Sequence, residues 1–169
     1  MSTQTIAAAV AGTAVIGGGG ATIAYAAGAF DAKYSDFDDY VKNGGKYRYI
    51  GSSGTDRSLT EDKIKAHLKD TNKGDSYRTA LTGKIDNMNL TGTSNPSKPN
   101  ASEIGQAGKE ASGTTTNLDK VAKFVNQWCE VTKVKKPANA QAGDKFRVSD
   151  LEAVSEWNAF VSVCVEEIN

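Results

Sequence analysis

The sequence predicts a mainly α-helical protein: an N-terminal transmembrane helix, then a small helical domain that closes on an antiparallel pair of helices. Three observations lead there. Residues 6–30 carry no Asp, Glu, Lys, Arg or His. Residues 118–132 set apolar side chains three and four apart, the repeat of one helix face. Residues 151–168 repeat that pattern, and each of these two stretches holds one Trp and one Cys.

The first stretch reads IAAAVAGTAVIGGGGATIAYAAGAF. As a helix it is long enough to cross a hydrocarbon layer of about 30 Å. It is only weakly apolar, because ten of its residues are Ala and six are Gly. Gly17–Gly20 would cost a helix in water about 1 kcal/mol each relative to Ala, whereas in a membrane small residues let helices approach closely. Three readings follow: a spanning helix over 1–30, a cleaved signal peptide, or a buried or disordered Gly/Ala tail. Ala24-Tyr25-Ala26 and Ala27-Gly28-Ala29 have the small-residue form of a cleavage site, but no Lys or Arg precedes the apolar run. The charges that follow it conflict over sidedness. Lys33, Lys42, Lys46 and Arg48 favour a cytoplasmic body, while Asp31, Asp36, Asp38 and Asp39 and the Ser/Thr/Asn-rich remainder favour export. The balance falls on a cell-membrane location with the C-terminal part outside.

Composition excludes more than it assigns. Lys plus Arg equals Asp plus Glu at 20 each, which lacks the basic excess of a nucleic-acid-binding chain. One His and two Cys leave too few ligands for a metal centre, and no catalytic or cofactor-binding constellation stands out. Gly17–Gly20 lacks the Lys-Ser/Thr of a phosphate loop, and Asp36, Asp38 and Asp39 lack the Gly and Glu of a calcium loop. They read as a solvated acidic helix face.

After the anchor, an N-terminal helical half is expected over 31–90. Tyr34, Phe37, Asp38 and Val41 are spaced as in a short helix that stops at Gly44-Gly45. Lys46–Ile50 alternates long polar and aromatic residues as a short strand would, without an evident partner strand. Ser58-Leu-Thr-Glu61 has the form of a capping box, opening a helix that buries Leu59, Ile64 and Leu68 with His67 beside them. A second helix, capped by Asp75 or Ser76, carries Tyr77, Leu81, Ile85 and Met88. Residues 91–117 are dominated by Thr, Ser, Asn, Gly and Pro, with Ile104 the one large apolar side chain. That composition reads as a flexible polar linker with one weak helical turn near 102–111.

The C-terminal helical hairpin, 118–169, carries the strongest pattern. Leu118, Val121, Ala122, Val125, Trp128, Cys129 and Thr132 form one face, opened by Asn117 and stopped before Pro137. Ser149-Asp-Leu-Glu152 reads as a second capping box, before a helix presenting Val154, Trp157, Phe160, Val161, Cys164, Val165 and Ile168. Trp128, Trp157 and Phe160 are the expected core anchors, with the two Trp residues between the helices. Cys129 and Cys164 are either bridged or two buried thiols. A bridge would close a loop of about 35 residues and typically adds about 2–4 kcal/mol. Helices paired end to end, however, would offset the two sulfurs by roughly 10 Å at 1.5 Å per residue.

The plan is similar to a known one. An Ala/Gly-rich span, a Gly44-Gly45-Lys46-Tyr47 segment, Trp128-Cys129 and Trp157-x-x-Phe160-Val161-x-x-Cys164 together resemble the paralogous proteins that haemotropic mycoplasmas encode in large arrays. The resemblance implies a membrane-anchored, surface-exposed protein of unknown activity that contributes to antigenic variation, and it transfers no catalytic residues. The reading that follows is a non-enzymatic surface protein serving host interaction or immune variation. A host protein would then be its partner. The alternative is a secreted binding module released by removal of an N-terminal signal peptide.

Overall fold

The computed structural model describes residues 32–92, 95–111 and 113–168, so the expected membrane segment 6–30 lies outside the described residues. Among the described residues no helix is long and apolar enough to cross a membrane. They form a mainly helical domain in which seven helices and two short two-stranded ladders share one core.

Strand β1 (Lys33–Tyr34) leads into helix α1 (Phe37–Asn43). Asp36 caps α1 by accepting from the Asp39 N–H at 2.9 Å, which satisfies one of the helix's orphan donors. Strand β2 (Tyr47–Tyr49) turns both tyrosines inward and Arg48 outward. Helix α2 (Glu61–Lys69) is capped by Thr60, whose hydroxyl accepts from Lys63 N–H, and not by Ser58 as the capping-box reading expected. Ser58 is occupied instead, because both its N–H and its hydroxyl donate to Asp56. Helix α3 (Gly74–Lys84) has no side-chain cap and ends in a 3₁₀ turn at Ile85–Asn87.

Within the stretch expected to be a flexible linker, 91–117, helix α4 (Ala101–Gln106) stands near the one helical turn expected at 102–111. A full capping box makes it: Asn100 accepts from Glu103 N–H at 2.9 Å, and the Glu103 carboxylate accepts from Asn100 N–H at 2.8 Å. Ile104 and Ala107 are completely buried, and α4 packs against α3 and α5. Polar composition overall thus conceals one apolar row with a strong start signal.

Helix α5 (Thr116–Thr132) is the central member, touching α2, α4 and α7. It buries the expected face and Phe124 as well. Its N-terminus is capped by neither Asn117 nor Thr115. The Glu110 carboxylate accepts from the N–H groups of Asn117 and Leu118 at 2.6 and 3.1 Å, a negative charge at the positive end of the helix.

The single helix expected after Ser149 is broken. Strand β3 (Phe146–Arg147) runs into the short helix α6 (Val148–Glu152), then a turn, helix α7 (Trp157–Cys164) and strand β4 (Val165–Glu167). Here Asp150, not Ser149, closes the start of α6, accepting from the Arg147 N–H. β4 leaves the helix because β2 offers it a partner, so Tyr47 pairs with Glu167 and Tyr49 with Val165 in an antiparallel ladder. Ile168, expected on the apolar helix face, is therefore exposed. The strand at 47–49 that lacked a partner in the sequence finds it more than a hundred residues away. β1 and β3 form the second antiparallel ladder, with Lys33 opposite Arg147 and Tyr34 opposite Phe146.

Candidate functional site

The end of α7 and β4 gathers most of the residues that sequence reasoning singled out. Cys129 and Cys164 are bonded, with Cα atoms 5.9 Å apart and both residues buried. The expected offset vanishes because the chain breaks before Trp157, so α7 does not inherit the register of a helix begun at Ser149. Phe160 is fully buried, and Trp128 and Trp157 nearly so. Trp157 does not simply sit between two helices. Its ring lies 4.9 Å from Phe37, 5.4 Å from Tyr40, 5.8 Å from Tyr47 and 6.0 Å from Phe160, joining α1 and β2 to α7.

Two polar fastenings hold this end. Glu166, on β4, accepts from Arg48 Nε at 3.0 Å and pairs with Lys73 Nζ at 3.3 Å, tying the last strand to β2 and to the start of α3. The Tyr49 hydroxyl donates to Asp38 at 2.7 Å, and Lys42 pairs with the same carboxylate. Burial, then the bond to Asp38, pushes the Tyr49 phenol far above its ordinary range, so it stays a donor. The acidic face of α1 is thus employed rather than simply solvated: Asp36 caps, Asp38 holds Tyr49, and Asp39 accepts from Ser35 N–H and Asn43. Hydrogen bonding from the Ser35 backbone lowers the Asp39 carboxyl.

Beside this end a cleft of about 230 Å³ opens between α1, β2 and the 51–57 loop, bordered by Lys42, Tyr47, Arg48, Ser52, Arg57 and Ile168. It falls short of the roughly 300–1,000 Å³ of most small-molecule sites. The Arg57 guanidinium is committed to the Lys42 carbonyl. Two of the cleft's lining residues, Ser52 and Asp56, are held by Lys63, whose Nζ meets Asp56 at 2.5 Å, the Ser58 carbonyl at 2.6 Å, and the hydroxyls of Ser52 and Ser58 at 3.3 Å. A lysine beside two serines has the parts of a nucleophile and base. Here, however, Lys63 Nζ is engaged as a hydrogen-bond donor to a carboxylate and a carbonyl. Its visible work is to staple the loop, and Lys63 followed by Ser58 holds the Asp56 carboxyl near its floor, at about 2.

A second polar knot joins α2, α3 and α4. Arg78, buried on α3, donates to the carbonyls of Leu68 at 2.5 Å and Ala107 at 2.9 Å, and pairs with Asp75. Those carbonyls are orphans at the ends of α2 and α4, so one guanidinium satisfies both. Nothing in the sequence marks Arg78 apart from the other cation of α3, Lys84. Half-buried His67 stacks its edge on Tyr77 at 4.8 Å, and burial lowers its pKa, which keeps the ring neutral. Among the described residues no group of three or more His, Cys, Asp or Glu side chains is placed to hold a metal ion.

No family model, no curated protein and no solved structure matches the chain. What fold and site define is a small helical domain with a buried disulfide, its C-terminal strand clasped to an aromatic end of the core.

Proposed function

We propose that the chain is a membrane-anchored surface protein without enzymatic activity, its helical body held outside the cell for contact with a host protein or for antigenic variation. The observation that carries this reading is the Cys129–Cys164 disulfide. Such bonds persist in oxidising compartments and are rare where thiols are kept reduced. Joined to an uncharged stretch of membrane-spanning length at 6–30, it favours an exported body on a tether. It also weighs against the cytoplasmic orientation that Lys33, Lys42, Lys46 and Arg48 favour. The resemblance to the mycoplasma surface families points the same way, through Trp128-Cys129 and Trp157…Cys164.

A second reading, a secreted binding module, draws on the cleavage-like triplets ending at Ala26 and Ala29. Fractionation separates the two. An anchored chain pellets with membranes through carbonate and salt, and a membrane-impermeant biotin reagent labels its lysines on intact cells. A cleaved chain appears in the medium lacking its first thirty or so residues. An intact chain that stays in the supernatant after ultracentrifugation without detergent overturns the anchored reading.

A further inference from the structure

We propose that the end of α5 and the connection after it, from Val131 to Arg147, form a face that rests on an anionic lipid surface; this builds on the anchored reading above. Two contacts set that stretch beside the point where the chain arrives from residues 6–30. Lys33 of β1 lies opposite Arg147 of β3, and the Asp38 N–H donates to the Lys133 carbonyl at 2.8 Å. From Phe30 to Lys33 the chain spans at most about 11 Å fully extended, close to the Debye length of roughly 8–10 Å at physiological salt. A body tethered there cannot carry this face far from the headgroups.

The chemistry of the stretch suits that position. The chain as a whole is neutral, yet 131–147 holds five cations, Lys133, Lys135, Lys136, Lys145 and Arg147, against one carboxylate, Asp144. Lys133 and Lys135 reach Glu130 and Glu156, while Lys145 and Arg147 are exposed. Among them stand Val131 and Val134, 47% and 56% exposed, two of the three large apolar side chains that the described residues leave in solvent. Cations around exposed apolar side chains are the pattern of an interfacial contact: the charges meet anionic headgroups and the valines enter the boundary beneath. Of the nearby carboxylates of α1, Asp38 is paired with Lys42, whereas Asp36 and Asp39 accept from neutral donors and keep their negative charge.

The full chain, reconstituted in phosphatidylcholine vesicles with and without phosphatidylglycerol, is floated and then footprinted with an amine-acylating reagent. Lys136 and Lys145 are expected to react about fivefold more slowly on the anionic vesicles, the effect of one lysine's attraction to a charged surface. Lys109 is expected to react equally on both. It lies next to Glu110, which caps the opposite end of α5, about 25 Å away along a 17-residue helix. Lys136→Glu with Arg147→Glu is expected to restore the labelling of Lys145. A chain that floats but shows no difference between Lys109 and the other two overturns the proposal and leaves the anchor standing. A chain that does not float overturns both. Protection equal in the two vesicles and rising with protein density assigns the face to a second copy, which also overturns it.

Discussion

Two parts of this core, an aromatic end and a polar end, are fastened by different chemistry. At one end, Trp157 gathers Phe37, Tyr40, Tyr47 and Phe160 beside the disulfide. At the other, Arg78 draws together the ends of α2 and α4 through two carbonyls. The aromatic end gains by removing area from water, and a loss there leaves a cavity whose cost grows with its volume. The polar end gains little per bond, yet leaving its carbonyls buried without donors costs each about 1–3 kcal/mol. One end is stabilised by what fills it, the other by what would be orphaned.

The largest expected effect is at the aromatic end. Trp157→Ala removes a buried ring touching three elements and should cost about 3–5 kcal/mol, read as a fall in the urea midpoint with an unchanged slope. Next comes the disulfide. Replacing Cys129 and Cys164 by Ala opens a 35-residue constraint and should cost about 3–4 kcal/mol. Since the two substitutions share α7, the triple variant should lose measurably less than their sum.

At the polar end, Arg78→Met keeps the apolar stem and removes the donors. It should cost about 2–3 kcal/mol, nearly all of it from the carbonyls of Leu68 and Ala107. A smaller cost would mean that α2 and α4 can shift until water reaches those oxygens. Amide exchange of Ala107 and Asp70 would then rise while that of α7 stays protected, which divides the two ends into separately opening units.

These ends were unequally legible before the fold was known. Apolar spacing at three and four marks the faces of α2, α3 and α5 and picks out Trp128, Trp157 and Phe160, because burial follows the helical repeat. Repeats say nothing about strands three residues long. β2 is a strand because β4 lies beside it, and that pairing joins residues 47–49 to 165–167. The same event ended α7 early and exposed Ile168. Asn100 with Glu103 was a readable start signal hidden by the polar residues around it, whereas Glu110, which caps α5 from the preceding loop, has no fixed spacing to find. Arg78 is the hardest case, since an arginine bound for two carbonyls looks in sequence like one bound for water.

Gly108 sharpens the polar end further. Its φ is +82°, and an added Cβ would lie 2.7 Å from the Leu68 carbonyl oxygen that Arg78 already occupies. Gly45 has a similar φ of +74° with nothing within 4 Å of such a Cβ. Gly45→Ala should therefore cost only the left-handed strain, about 1–2 kcal/mol, and Gly108→Ala should cost more by the displaced backbone. Equal losses, measured by thermal or urea unfolding, would mean that the Leu68 oxygen is free to move and the knot is looser than its distances imply.

The smallest effect separates what sets a charge from what holds the fold. Asp75 is exposed, and Lys109 first and Arg78 second hold its carboxyl at about 2. An unfolded Asp titrates at about 3.9. A carboxyl depressed in the native state contributes stability that is full above the unfolded value and is lost as pH falls through the native one. The contribution of Asp75 should accordingly fade between about pH 4 and pH 2, and Asp75→Asn should flatten that part of the stability profile. Carboxyl-carbon NMR should show Lys109→Gln raising the Asp75 midpoint more than Arg78→Met does. Unfolding should rank the same two variants in reverse. The Lys109 pair is mostly solvated and contributes little to stability, whereas Arg78 leaves two buried oxygens behind. If both measurements gave the same order, the guanidinium would act chiefly through Asp75, and the contrast between the two ends of the core would reduce to a surface ion pair.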